Sequence, residues 1–261
     1  MKKIYYITAV FATLFLVGCG DGIDLPGVNV ETDLNKIPLP DNNVNLEQVE
    51  LKPSTEPMLH EGLHTEEDFQ RIRDKKAAGE EPWVSAYQLL VESQFSQKTA
   101  DTYPTEWIKR GISGDENYMN AARGAYQQAL RWKIEQDDEY AAKAVENLNK
   151  WVQTCVGVTG NTNLSLAAGL YGYEFAIAGE LLRDYGGWDR ADFAAFQNWL
   201  LKVFYPANDD FLKRHHDTNA LHYWANWCLC NIAAKMAIGI VTDRRDIYNE
   251  GIAHLQTGDT N

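Results

Sequence analysis

Beyond residue 63, apolar positions recur at spacings of three and four along most of the chain, the period of helices that bury one face. Thr65-Glu66-Glu67-Asp68 opens the first segment with a capping pattern and acids suited to the helix dipole; Phe69 and Ile72 continue its apolar face until Gly79. Pro82 opens a second helix, residues 83 to about 95, with Tyr87, Leu90 and Val91 on its stripe. A loop with Pro104, Gly111 and Gly114 follows. Residues 117–136 place Tyr118, Ala122, Ala125, Ala129 and Trp132 on one face, and residues 139–155 repeat the pattern through Ala142, Val145, Leu148 and Val152. Residues 157–163 read as a turn. Residues 164–185 are apolar and small on much of their surface, as in a helix packed against several neighbours. Residues 191–204 carry Phe193, Phe196, Leu200 and Phe204. Pro206 is expected to break the chain into a loop, after which residues 218–240 are predicted as a largely buried helix and 246–255 as a shorter amphipathic one. Strand-like alternation is nowhere sustained.

Recurrent antiparallel helix pairs predict an all-α protein. An incomplete (α/α) toroid built from antiparallel helix hairpins, with a central cleft, is the favoured arrangement, and a TPR-like solenoid is the competitor. The first residues change the picture of where this domain works. Met1-Lys2-Lys3 is a short positive start, residues 4–17 are apolar, and Leu16-Val17-Gly18-Cys19 resembles the lipobox of bacterial lipoproteins. Residues 1–18 are therefore read as a lipoprotein signal peptide and Cys19 as the lipidated residue. Residues 19–57, punctuated by Pro38, Pro40, Pro53 and Pro57, are read as a flexible tether, and 58–261 as the domain. The expected address is the periplasmic space or the outer membrane surface, with contact to a membrane through the anchor only.

A net charge of −13 argues against nucleic acid as a partner, and it means an acidic ligand needs positive groups gathered locally. Apart from Cys19, the cysteines are Cys155, Cys228 and Cys230. Their odd number gives no disulfide framework, and 228 and 230 point to different faces of a helix, so all three read as buried small side chains. No Cys/His spacing demands a metal, and no cofactor is expected.

The local positive charge lies in Phe211-Leu212-Lys213-Arg214-His215-His216-Asp217-Thr218-Asn219, placed in the loop after Pro206, where Asp217 or Thr218 can cap the next helix. Asn219 then stands in the first turn, with His222 three residues on and sharing its face, so that amide, imidazole and guanidinium groups are ready for a carboxylate-bearing ligand. Alternatively, Lys213 and Arg214 are ordinary surface charges. Trp224 and Trp227 read as core, and Asn226 as a buried structural amide.

From about residue 60 onward the chain resembles the alginate lyase family of polysaccharide lyases. The carriers are His64-Thr65-Glu66-Glu67-Asp68-Phe69, Ala77-Ala78-Gly79-Glu80-Glu81-Pro82-Trp83, Asn117-Tyr118-Met119-Asn120-Ala121-Ala122-Arg123, Ala168-Gly169-Leu170-Tyr171-Gly172-Tyr173 and Asn219 with His222-Tyr223-Trp224-Ala225-Asn226-Trp227. The resemblance implies a toroid, an acidic polysaccharide (uronan) substrate and cleavage by β-elimination without a metal. It assigns the Asn–His pair to Asn219 and His222. In the better-studied members Asn and His are adjacent, whereas here Ala220 and Leu221 intervene, so His216 or His215 is an alternative for the histidine. The Tyr and Arg that complete the family's set are expected beyond Asn261, as in a chain truncated at its C-terminus. Arg214 and His215 are candidate substrate-binding residues. Two other functions fit the residues: a glycan-binding helical lipoprotein using Tyr171, Tyr173 and Trp224, and a toroid glycoside hydrolase whose two carboxylates are Glu174 and Glu180.

Overall fold

A computed structural model of the chain describes residues 58, 60, 62–101, 103–110, 117–218, 220–223 and 225–257. The expected signal peptide, Cys19 and the tether lie outside the described residues, as do Asn219 and Trp224. Helix α1, Glu66–Ala77, starts as its sequence predicts: Asp68 N donates to Thr65 Oγ1 at 3.2 Å while Thr65 N donates to the Asp68 carboxylate at 3.0 Å. Helix α2, Trp83–Glu92, ends before its apolar stripe does, because Ser93 turns extended and its Oγ accepts from Phe95 N to start a 3₁₀ turn, Gln94–Ser96. The remaining order is β1 Trp107–Lys109, α3 Asn117–Glu135, α4 Asp138–Thr154, β2 Gly157–Thr159, α5 Asn163–Leu181, α6 Arg190–Val203, α7 Tyr205–Arg214, a 3₁₀ turn His215–Asp217, α8 Ala220–Tyr223, α9 Asn226–Val241 and α10 Arg245–Thr257.

The all-α expectation holds, with three corrections. First, the turn expected at 157–163 begins with strand β2, which pairs in parallel with β1, Ile108 opposite Val158. Strands of three residues are too short for alternation to be visible in the sequence. Second, Pro206 does not open a loop. It occupies the first turn of α7, where its missing N–H has no helical partner to lose. Third, the single helix expected over 218–240 is divided, because Ala225 takes φ 72°, ψ −117° between α8 and α9.

Helix α5 is the hub: α3 and α9 pack along it, α7 also touches it, and α4 and α10 cover α3 and α9. Its all-round apolar character follows from that position, with Leu164, Ala168, Tyr171, Phe175 and Leu181 all buried. Gly169 sets the closest approach. A Cβ there would lie 2.5 Å from Cys230 Sγ and 3.1 Å from Asn231 N, so any side chain would push α9 away. Behind this contact Phe175 packs edge-on against Trp199 at 5.1 Å, and Trp199 against Phe204 at 5.1 Å. Each such ring, fully buried, contributes roughly 1.5–3 kcal/mol. The three described cysteines are buried thiols, and Cys228 and Cys230 do face different neighbours, His215 and Gly169. No described helix is long and apolar enough to cross a membrane.

Candidate functional site

The histidine segment departs furthest from regular backbone. Helix α7 ends where His215 turns left-handed (φ 48°, ψ 41°), and His216 (φ 55°, ψ 36°) and Asp217 (φ 60°) follow. Left-handed residues other than glycine cost roughly 1–2 kcal/mol each. Four of the seven described non-glycine residues with positive φ fall between 215 and 225, a concentration of strain of the kind that marks functional segments. The turn is held by Thr218, whose N (3.2 Å) and Oγ1 (2.7 Å) both donate to the His215 carbonyl. It is also wrapped around Phe211. That fully buried ring has His215, His216, Tyr223 and Trp227 around it, with centroids 5.1, 5.3, 5.5 and 5.8 Å away.

The two adjacent histidines differ in kind. His215 is buried, with Nε2 3.5 Å from Cys228 Sγ. His216 has a buried Nε2 without a hydrogen-bond partner among the described residues. Burial holds its imidazole below the usual histidine range, outweighing the pull of Asp210. His216 is thus neutral near neutral pH, with a ring nitrogen able to take a proton. Tyr223 stands between His216 (5.5 Å) and the exposed His222 (4.7 Å, perpendicular rings), and burial pushes its phenol up, so it keeps the proton it can donate. Sequence reasoning did not single out Tyr223; its one signal was its place beside His222 in the Tyr-Trp pair.

The basic cluster is paired within its own helix. It sits in the last turn of α7, so each cation follows an aspartate by four residues. Arg214 grips Asp210 through Nε (2.8 Å) and Nη2 (3.1 Å), and Lys213 Nζ meets Asp209 at 2.7 Å. Asn226, expected buried, is exposed, and the buried amides that join α7 to α9 are Asn208 and Asn231, bonded at 2.7 Å. Thr218 bonds backward to His215 through its hydroxyl. Among the described residues, no three His, Cys, Asp or Glu side chains gather as a metal site would require.

Tyr171 and Tyr173 belong to a second polar cluster, between α3 and α5. Tyr171 is buried edge-on against Tyr118 at 5.1 Å, and its OH accepts from Arg110 Nη1 at 2.9 Å. Burial pushes Tyr173 up to about 12. Beside it Glu174 has a buried Oε2 without a hydrogen-bond partner, and burial, opposed by Arg123, pushes its carboxyl up to about 7. Glu180 is instead tied to Arg183 (3.0 Å) and His60 (3.1 Å), and it lies six residues from Glu174, about 9 Å along one helix and on a different face. These two carboxylates do not face each other across a cleft.

The same cluster contains His64, whose Nε2 meets Tyr126 OH at 2.6 Å and whose imidazole burial pushes down from 6.5 to about 4. The fold therefore accepts His64 neutral and Glu174 protonated. The His64 contribution is complete above pH 6.5 and lost as pH falls to about 4, whereas that of Glu174 is complete below 4.5 and lost as pH rises to about 7. Each limb amounts to about 3 kcal/mol. Urea unfolding across this range is expected to give Glu174→Gln greater resistance than the parent above pH 7 and no advantage below 4.5. His64→Asn should blunt the loss between 6.5 and 4. Parallel profiles for parent and variants would overturn both assignments.

Residues 83–261, well over half of the chain, match the family model described as alginate lyase. No curated protein matches, and no solved structure does.

Proposed function

Since the chain belongs to the alginate lyase family, a family of polysaccharide lyases, we propose that it cleaves a uronate-containing polysaccharide, alginate or a related uronan, by β-elimination. The observation that carries the mechanism is His216: a neutral imidazole with an unpartnered ring nitrogen, held on a left-handed backbone beside a protonated tyrosine. In this reaction a base removes the C5 proton of the uronate, the released electron pair forms the C4–C5 double bond, and the C4–O4 bond breaks with proton donation to O4. In this reading His216 is the base, acting once substrate binding opens the packing over its buried Nε2, and Tyr223 is the donor. Asn219 and His222, assigned by resemblance, supply donors to the uronate carboxylate as negative charge develops at C5. Arg214, already engaged with Asp210, is withdrawn from that role. No metal enters the scheme.

The helices around α5 are read as an arc of an incomplete (α/α) toroid, with α3, α5 and α9 toward the cleft. The domain works in the periplasm or at the outer membrane surface, lipid-anchored at Cys19, where such a polymer is met. Incubation with alginate, mannuronan and glucuronan is expected to raise the ultraviolet absorbance of the unsaturated uronate end. New reducing ends without that absorbance would identify a hydrolase, and neither signal would sink the lyase reading for these polymers.

A further inference from the structure

Among the described tryptophans, Trp107 of β1 alone is exposed, at 41%, whereas Trp151, Trp188 and Trp199 lie in the core. The ribbon it belongs to keeps it in water. β1 and β2 pair with Trp107 opposite Gly157, Ile108 opposite Val158 and Lys109 opposite Thr159. Side chains alternate along a strand and paired residues share a face, so Ile108 and Val158 turn to one side and the other four positions to the other. Ile108 and Val158 are buried in the main core, and α5 and α6 back the ribbon. Trp199 of α6 fastens it further, its Nε1 donating to the Cys155 carbonyl at 2.9 Å just ahead of β2. The outward face therefore cannot turn inward to hide its tryptophan.

What that face presents is a flat ring laid on a bare strand. A Cβ at Gly157 would lie 2.7 Å from Trp107 Cζ3 and 3.2 Å from Cε3, so the indole rests against the backbone of β2 and any side chain at 157 would lift it. One side of the ring is backed by the ribbon, and solvent reaches it from the other. Two residues along β1, roughly 7 Å away, Lys109 brings a cation to the same face, and Thr159 opposite it brings a hydroxyl. The electron-rich face of a fixed indole suits the C–H face of a pyranose, and a cation one ring's length away suits a carboxylate carried by that sugar. The histidine turn lies elsewhere: it wraps the separate cluster around Phe211, whereas Ile108 and Val158 belong to the main core.

We propose that the outward face of the β1–β2 ribbon is an accessory polymer-holding site, separate from the histidine turn, on which a sugar ring of an acidic polysaccharide stacks on Trp107 while its carboxylate faces Lys109. This rests on the reading of the substrate as a uronan: the ring selects a saccharide, and the lysine an acidic one. In a chain of net charge −13, a lasting contact with a polyanion needs such a local cation. The site keeps a long chain on the domain between cuts, because a polymer held at one contact is concentrated at the other. A short oligosaccharide engages one contact at a time and gains nothing from the second.

The test is affinity electrophoresis of the full chain in native gels carrying alginate, or hydroxyethylcellulose as a neutral polymer. The parent is expected to be retarded by alginate and not by the neutral polymer. Trp107→Ala should weaken alginate binding about tenfold or more, as loss of a tryptophan anchor does, and Lys109→Gln by a few-fold. Gly157→Ala, which lifts the ring, should act in the same direction as Trp107→Ala. Thermal unfolding run in parallel excludes a folding defect; should Trp107→Ala lower it, Lys109→Gln carries the test. Retardation unchanged in the folded variants, or equal in the neutral polymer, overturns the site. Titration with a mannuronate trisaccharide checks its separateness: a loss in Trp107→Ala as large for the trisaccharide as for the polymer overturns an accessory role. Retardation lost in the variants while the parent releases no unsaturated ends leaves the site standing and removes the lyase reading. Unsaturated ends released by a parent whose alginate binding neither substitution weakens does the reverse.

Discussion

Replacing Lys235 by alanine is expected to destabilise the protein by about 3–5 kcal/mol, the loss typical of removing one partner from a buried ion pair. The Lys235 ammonium on α9 is 1% exposed and is held at 2.7 Å by Asp209 of α7 and at 2.7 Å by Glu250 of α10, with the Tyr205 ring 5.4 Å away. Asp209 is equally buried, and its second oxygen accepts from Lys213. Burial alone would raise the Asp209 carboxyl, but the hydrogen bonds from Lys213 and Lys235 outweigh it and hold it below the usual carboxylate range. Its contribution is complete above pH 3.8 and lost as pH falls through the folded-state value. Alanine leaves Asp209 with one surface lysine and opens a cavity where the stem lay. The double variant Lys235→Met with Asp209→Asn removes both charges and should recover most of the loss, because the two ions cost desolvation energy in the parent. Urea unfolding at neutral pH decides the matter: a Lys235→Ala midpoint equal to the parent's would mean that the pair carries no weight. The network also anchors the proposed site, because α7, which it pins to α9 and α10, ends in the histidine turn.

What the sequence revealed and what it hid follow from the range of the interactions concerned. The start of α1 was legible because a capping box is written in four consecutive residues, and the burial of α5 because apolar and small side chains run all round it. The opposite faces of Cys228 and Cys230 followed from helical periodicity. Pro206 misled because the same ring that breaks a helix interior suits a helix start, and the residues before it gave no cap signal; Phe204 makes no side-chain cap. Reading 207–214 as a loop then hid the four-residue spacing of Asp209 with Lys213 and of Asp210 with Arg214, so paired charges passed for a free basic cluster.

Other parts of the site had no local sequence signal. Left-handed backbone is ordinarily flagged by glycine or asparagine, and here it falls on His215, His216, Asp217 and Ala225. Long-range packing around Phe211 imposes it. Arg110 reaches Tyr171, sixty-one positions away, only because two three-residue strands pair, and neither strand is long enough to leave a pattern. The family resemblance singled out the segment proposed to carry the chemistry. The structure supplied the distinction, within that segment, between the packed His215, the exposed His222 and the unpartnered His216.

That distinction gives the second large expectation, on activity. His216→Asn should lower kcat on a cleaved uronan by roughly 10²–10⁴-fold, the span that a positioned base contributes. Tyr223→Phe should act comparably while leaving its ring against Phe211, and His222→Ala should cost less than about tenfold if its role is confined to binding. Asparagine is chosen over alanine because His216 sits at φ 55°, ψ 36°, a conformation asparagine adopts with little strain. The same substitution also removes a buried ring nitrogen that lacks a partner. His216→Asn is therefore expected to unfold no more easily than the parent while losing its turnover. Stability and activity then move apart, as they do where strain is held for function and not where a residue merely fills the core. A pH profile adds an independent reading: the base must be neutral, and burial places its titration below 6.5, so kcat/KM should decline on acidification only beneath that value. Full turnover in a folded His216→Asn protein would remove His216 as the base, and so would an acid limb at or above 6.5.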